Sequence, residues 1–209
     1  MERTIAKYLL EINAVTLSVE NPYTWASGIK APIYCDNRLT LSFPNIRNDI
    51  ELGLAKVIEI YYPETEMLMG TATAGIAHAA LVANILDLPM GYVRSSNKTH
   101  GKGNQIEGKV VEKQKVVVVE DLISTGSSSL EVVKALQEAN LEVLGVISIF
   151  TYNFKLSEMN FKNANLRYHS LTNYEVLINV ALEHNYITQN DFDKLKKWYV
   201  NPESTEWMK

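Results

Sequence analysis

The sequence predicts an α/β fold with a mostly parallel central sheet flanked by helices. Three observations carry that expectation: the four valines at 116–119 form a strand without polar alternation, helical connections separate the strands, and the two patterns alternate along the chain. A strand with no polar face is buried on both sides, and a helical connection of about a dozen residues lets the next strand pair in parallel.

Taken in order, residues 1–40 hold a helix and an irregular segment. Pro44 stands near a first helical turn, and Ile46, Ile50, Leu54, Val57 and Ile58 follow at helical spacing, so 44–61 reads as an amphipathic helix. The run "EMLMGTATAGIAHAALVANILDLPMGYV" gives a short apolar strand, a small-residue turn at 70–75, a helix to 86 and a strand ending at Val93. A strand follows at 115–119. Leu130, Val133 and Leu136 mark the next helix, and "LEVLGVISIF" the next strand. Residues 172–199 read as two helices opened by capping boxes, Thr172 with Glu175 and Thr188 with Asp191. There is no internal repeat. The expected organisation is one domain over 1–209, with an N-terminal segment 1–40, a core sheet 41–153 and a C-terminal helical segment 154–209.

At 46% apolar residues the chain can bury a core of ordinary size. A net charge of −4 argues against charge-driven binding to nucleic acid or anionic membrane. The single cysteine, Cys35, forms no internal disulfide. Residues 1–10 lack a basic-then-apolar leader, and no apolar run approaches the roughly 18 residues of a spanning helix. A soluble cytoplasmic protein with neither nucleic-acid nor membrane partners is expected.

The stretch "VVVVEDLISTGSSSL" puts chemistry at the carboxyl end of a buried strand, the edge where open α/β sheets bind ligands. Ser124, Thr125, Gly126, Ser127 and Ser128 would present N–H groups and hydroxyls at a helix N-terminus, which favours a phosphate. Neither a Walker loop nor a G-x-G-x-x-G fingerprint is present. Glu120 and Asp121, directly before this cup, are hydrogen-bond acceptors suited to vicinal ribose hydroxyls, directly or through a metal. The plainer reading is a serine-rich helix cap beside solvated acids, and two acids on an all-apolar strand weigh against it.

Residues 116–128 resemble the phosphoribosyl-diphosphate (PRPP) motif of type I phosphoribosyltransferases: a hydrophobic strand, two acids, then a Thr/Gly/Ser loop. The resemblance implies that Glu120 and Asp121 contact the ribose hydroxyls and that residues 122–128, including Leu122 and Ile123, hold the 5-phosphate. A second stretch, "YVRSSNKTHGKGNQIEG", reads alone as either a solvated loop or a lid over a departing diphosphate. Its R-x-x-x-K-x-H-G pattern followed by I-E-G is similar to the catalytic loop of the orotate phosphoribosyltransferase branch, which assigns Arg94, Lys98 and His100 to PRPP, and Lys98, His100 and Asp121 to catalysis. A third, "NPYTWASGIKAPIYCDNRLTLSFP", is similar to that branch's hood; its plainer reading is a hairpin with Tyr23 and Trp25 as buried aromatics.

The resemblance further implies orotate as acceptor with Ser124 as its contact, Mg²⁺ as cofactor held mainly through PRPP and water, and a homodimer whose lid residues are shared across subunits. Three positions depart from the pattern: Ala26 and Ala74 stand where some bacterial members carry Lys, and residues 150–154, around Thr151, lack an Arg. A purine or uracil salvage enzyme would keep the PRPP motif without this lid and hood. A PRPP-sensing regulator of the same fold would want a basic face.

Overall fold

The structure, a computed structural model, describes residues 1–94 and 105–208. In chain order the elements are α1 (Glu2–Glu11), β1 (Val15–Leu17), β2 (Tyr23–Thr24), β3 (Lys30–Ala31), β4 (Ile33–Cys35), a 3-10 turn (Asn37–Ser42), α2 (Pro44–Tyr61), β5 (Met67–Thr71), α3 (Ala74–Leu86), β6 (Met90–Val93), β7 (Ile106–Glu107), β8 (Lys115–Ile123), α4 (Ser127–Glu138), β9 (Glu142–Thr151), α5 (Lys155–Asn163), β10 (Arg167–Asn173), α6 (Tyr174–Glu183) and α7 (Gln189–Val200). They divide into two compact units, residues 45–171 and residues 1–44 with 172–209.

The first unit is built on a six-stranded sheet ordered β10-β9-β8-β5-β6-β7. β5 runs parallel to β6 and β8, and β8 parallel to β9, while the short β7 is antiparallel to β6. The mostly parallel sheet expected from the valine run is therefore present. All four valines at 116–119 are fully buried. Val116 and Val118 join Met67, Met69, Val133, Leu136 and Phe161 in one apolar cluster, each such burial contributing about 2 kcal/mol. On α2, Ile50, Leu54, Val57 and Ile58 are buried, as their spacing predicts.

β8 runs beyond the expected 115–119, on to Ile123. The reason lies next door: β9 extends to Thr151 and supplies partners for the continuation, Ser148 for Glu120, Phe150 for Leu122 and Thr151 for Ile123. The two acids consequently sit within a ladder, and Glu120 is only 7% exposed. Three elements of this sheet unit have no counterpart in the sequence reading. α5 turns Leu156 and Met159 to solvent and buries Ser157 and Phe161, so it has no apolar stripe. β7 is two residues long, and β10, "RYHSLTN", is mostly polar.

In the second unit α1 packs on α6. β1 pairs antiparallel with β4, and β2 with β3. Trp25 is half-buried rather than buried: its Nε1 donates to the Ile33 carbonyl at 3.1 Å, and its ring meets Trp198 edge-on at 5.6 Å. Tyr23 is half-buried as well. The capping box of Thr188 and Asp191 forms on α7 as predicted. The one placed at Thr172 does not. Thr172 belongs to β10, so the cap falls to Asn173, whose side chain accepts from the Val176 N–H at 3.0 Å.

Candidate active site

Two strand-to-helix turns meet at the carboxyl edge of the sheet, one joining β5 to α3 and one joining β8 to α4. A cavity of about 670 Å³ opens there, lined by both turns, by Glu120 and Asp121, and by Arg94. Gly126 is the hinge of the β8 turn. Its φ of +79° suits glycine, and a Cβ there would lie 2.6 Å from Phe161 Cε2. The chain can therefore turn sharply into α4, whose N-terminus carries no side-chain cap. Ser127 and Ser128 are exposed on its first turn, and the Thr125 and Ser127 hydroxyls are 3.0 Å apart. First-turn N–H groups beside three hydroxyls make an anion cup.

The acids are shaped by their surroundings. Glu120 Oε1 accepts from the Asp121 N–H at 3.0 Å, and its Oε2 lies 3.4 Å from the Ser129 hydroxyl. Burial pushes the Glu120 carboxyl up to about 8, the side-chain hydrogen bond and charge of Asp121 add to the rise, and the Thr71 hydroxyl and the Asp121 N–H oppose it. Burial and the neighbouring acid thus favour the protonated form of Glu120. A sugar hydroxyl donating to it would favour the ionised form.

The sequence-predicted residues Glu120, Asp121, Leu122, Ser124, Thr125, Gly126, Ser127 and Ser128 all reach this cavity. Ile123 does not bring its side chain there. That side chain lies in the apolar cluster with Val133 and Phe161, and its carbonyl accepts from the Tyr152 N–H at 3.0 Å. Arg94 lies at the end of β6 with its guanidinium 3.8 Å from Glu107. Lys98 and His100 lie outside the described residues. Ala74 lines the cavity with a methyl group where a cation was the alternative, Ala26 is exposed beside the β2–β3 ribbon, and Thr151 ends β9.

The sequence reading left out Thr71, Thr73 and Gln105, which also line the cavity. A signal was present in "MLMGTATAG", a buried strand running through small residues into a helix, the same pattern as at β8. The turn holds a cis peptide between Ala72 and Thr73. It packs tightly, since a Cβ on Gly75 would meet the Val119 carbonyl oxygen at 2.3 Å.

For Mg²⁺, the described residues contain no group of three or more acidic, His or Cys side chains able to hold a metal ion. Four acidic residues line the cavity, Glu120, Asp121, Glu131 and Glu138, and their hard oxygens would suit this ion directly or through its water. Among the described residues no helix is long and apolar enough to cross a membrane.

The parallel-sheet edge and the turn that follows its two acids lie within residues 44–180, which match the family model described as "Phosphoribosyl transferase domain" and place the chain among the phosphoribosyltransferases. The chain is 59% identical over 209 residues to the orotate phosphoribosyltransferase of Bacillus subtilis, covering 100% of this chain and 97% of that one. It is 56% identical to the enzyme of the same name from Listeria innocua, covering 97% of each. Among solved structures, the orotate phosphoribosyltransferase of Aeropyrum pernix shares the fold with a TM-score of 0.76 at 24% identity, over 88% of this chain and 99% of that one. The chain belongs to the orotate phosphoribosyltransferase family.

Proposed function

We propose that this chain transfers the ribose 5-phosphate group of PRPP to orotate, giving orotidine 5'-monophosphate and diphosphate, a step of de novo pyrimidine (UMP) biosynthesis. The observation that carries the site assignment is the placement of the cup at 124–128 directly after Glu120 and Asp121, inside one cavity. The 5-phosphate would take the first-turn N–H groups of α4 and the hydroxyls of Thr125 and Ser127. The ribose hydroxyls would donate to Asp121 and Glu120.

The bond formed joins the orotate ring nitrogen to the anomeric carbon, that nitrogen's proton passes to water or the departing diphosphate, and the bond broken releases diphosphate with its electron pair. No nucleophile of the protein is required. Catalysis rests on holding the ribose still while positive charge grows on it and negative charge leaves. Mg²⁺ bound to the diphosphate would neutralise part of the departing charge. Arg94 at the cavity wall, and Lys98 and His100 by family resemblance, would supply cationic donors to the same group. Ser124 is the proposed orotate contact. A homodimer with lid residues exchanged between subunits, and a cytoplasmic location, complete the proposal.

The test is incubation with PRPP, Mg²⁺ and, separately, orotate, uracil and a purine base, following the absorbance of each. Consumption of orotate alone, with nucleotide and diphosphate formed in equal amounts, is expected. Consumption of uracil or the purine in its place would overturn the assignment.

A further inference from the structure

The β8 turn does not stand by itself: α5, an element outside the PRPP motif, grips it from behind. The Asn160 side-chain amide donates to the Thr125 carbonyl at 2.9 Å. The ring of the next residue, Phe161, fills the space a Cβ on Gly126 would need, at 2.6 Å. Both contacts bear on the single peptide group linking Thr125 to Gly126. Phe161 is itself fixed, being 2% exposed, part of the sheet's apolar cluster, and 4.4 Å from the Tyr168 ring.

Among the described residues the cis peptide lies at Ala72–Thr73, and the Thr125–Gly126 link is trans. In a trans peptide the C=O and the following N–H point in opposite directions. A carbonyl drawn back toward α5 therefore sends the Gly126 N–H the other way. Thr125 and Gly126 line the cavity and Asn160 does not. Released from Asn160, the peptide could rotate and turn a carbonyl oxygen, which repels phosphate, toward the site.

We infer that Asn160 is a positioning residue for the 5-phosphate cup, holding the Thr125–Gly126 peptide with its N–H toward the ligand through its 2.9 Å hydrogen bond to the Thr125 carbonyl. The inference rests on the function proposed above for its choice of ligand, a sugar phosphate. It adds a residue from outside the motif that touches no substrate. The effect belongs to phosphate binding and leaves the acceptor base alone.

The experiment compares the wild-type chain with Asn160→Ala and Asn160→Asp, the second isosteric but without the donor. Binding of ribose 5-phosphate is measured by calorimetry, steady-state kinetics give kcat and each KM at saturating co-substrate, and thermal unfolding reports the fold. Loss of one hydrogen bond should raise the ribose 5-phosphate Kd and the PRPP KM about fivefold in Asn160→Ala, and further in Asn160→Asp. The orotate KM should stay within about twofold under the same argument. A ribose 5-phosphate Kd unchanged in both variants would overturn the inference. So would losses spread evenly over both substrates with a falling unfolding midpoint, the mark of a merely structural residue. A wild-type chain that binds ribose 5-phosphate yet leaves orotate untouched would instead overturn the proposed reaction, and the Kd comparison would still decide Asn160.

Discussion

The two turns at the sheet edge have the same plan, parallel strand into helix, and opposite content. Between β8 and α4 stand Ser124, Thr125 and Gly126, a sequence of donors, and α5 holds the turn through Asn160 and Phe161. Between β5 and α3 stand Ala72 and Thr73, and the closeness of Gly75 to Val119 brings α3 hard against the sheet. α3 is pinned by a different device, the buried His78, whose Nδ1 is 2.6 Å from Glu51 Oε1 on α2. Under the proposed function the β8 turn would donate hydrogen bonds to the 5-phosphate, whereas the β5 turn sets only the Thr71 and Thr73 hydroxyls beside the methyl groups of Ala72 and Ala74. The difference teaches that a site wall can matter through what it omits.

The largest effect should separate the two turns by what a variant loses. His78→Ala leaves the Glu51 carboxyl buried without its hydrogen-bonded partner, and should lower the free energy of unfolding by about 3 kcal/mol in denaturant titrations. Ribose 5-phosphate binding to the folded fraction should be unaffected. A large loss of that binding would erase the division, making the β5 side a donor wall too.

A smaller effect sharpens the β8 side. The Glu120 carboxyl, raised to about 8 by burial, returns to the ordinary carboxylate value of 4.5 when unfolded. Between those values the folded chain without ligand keeps a proton that the unfolded chain has released, so stability falls as pH rises through this window. Ligand binding runs the other way. Sugar hydroxyls favour the carboxylate, a proton is released, and affinity should climb by up to about tenfold per pH unit until pH reaches the raised value. Glu120→Gln should flatten both trends relative to wild type, with the phosphate's own titration cancelling in the comparison. An unchanged pH profile of binding in Glu120→Gln would remove Glu120 from the sugar site.

This contrast also explains how much the sequence revealed. Apolar runs and helical spacing are local, so α2 and the valine strand were legible, and the β8 turn announced itself by residue type. Glu51 looks like any polar residue on an amphipathic helix, and only tertiary packing puts it against His78, far along the chain. α5 has no apolar stripe, so nothing local pointed to Asn160. At Thr172 the serine-threonine rule named the wrong cap because a strand of mostly polar residues hid its own length. The acids were found but misplaced, since how far β8 extends depends on β9.

The central claim is that the β8 turn with its paired acids is a sugar-phosphate site, and the ribose end of it is most directly tested at Asp121. Asp121→Asn is nearly isosteric, and a half-buried carboxylate that accepts from ribose hydroxyls is expected to contribute a charge-assisted hydrogen bond. The measurement is calorimetric titration of ribose 5-phosphate into wild-type and Asp121→Asn protein at one pH and salt concentration, with unfolding followed in parallel. The account predicts a Kd about thirtyfold weaker in the variant with the unfolding midpoint essentially unchanged. A Kd within twofold of wild type would contradict it.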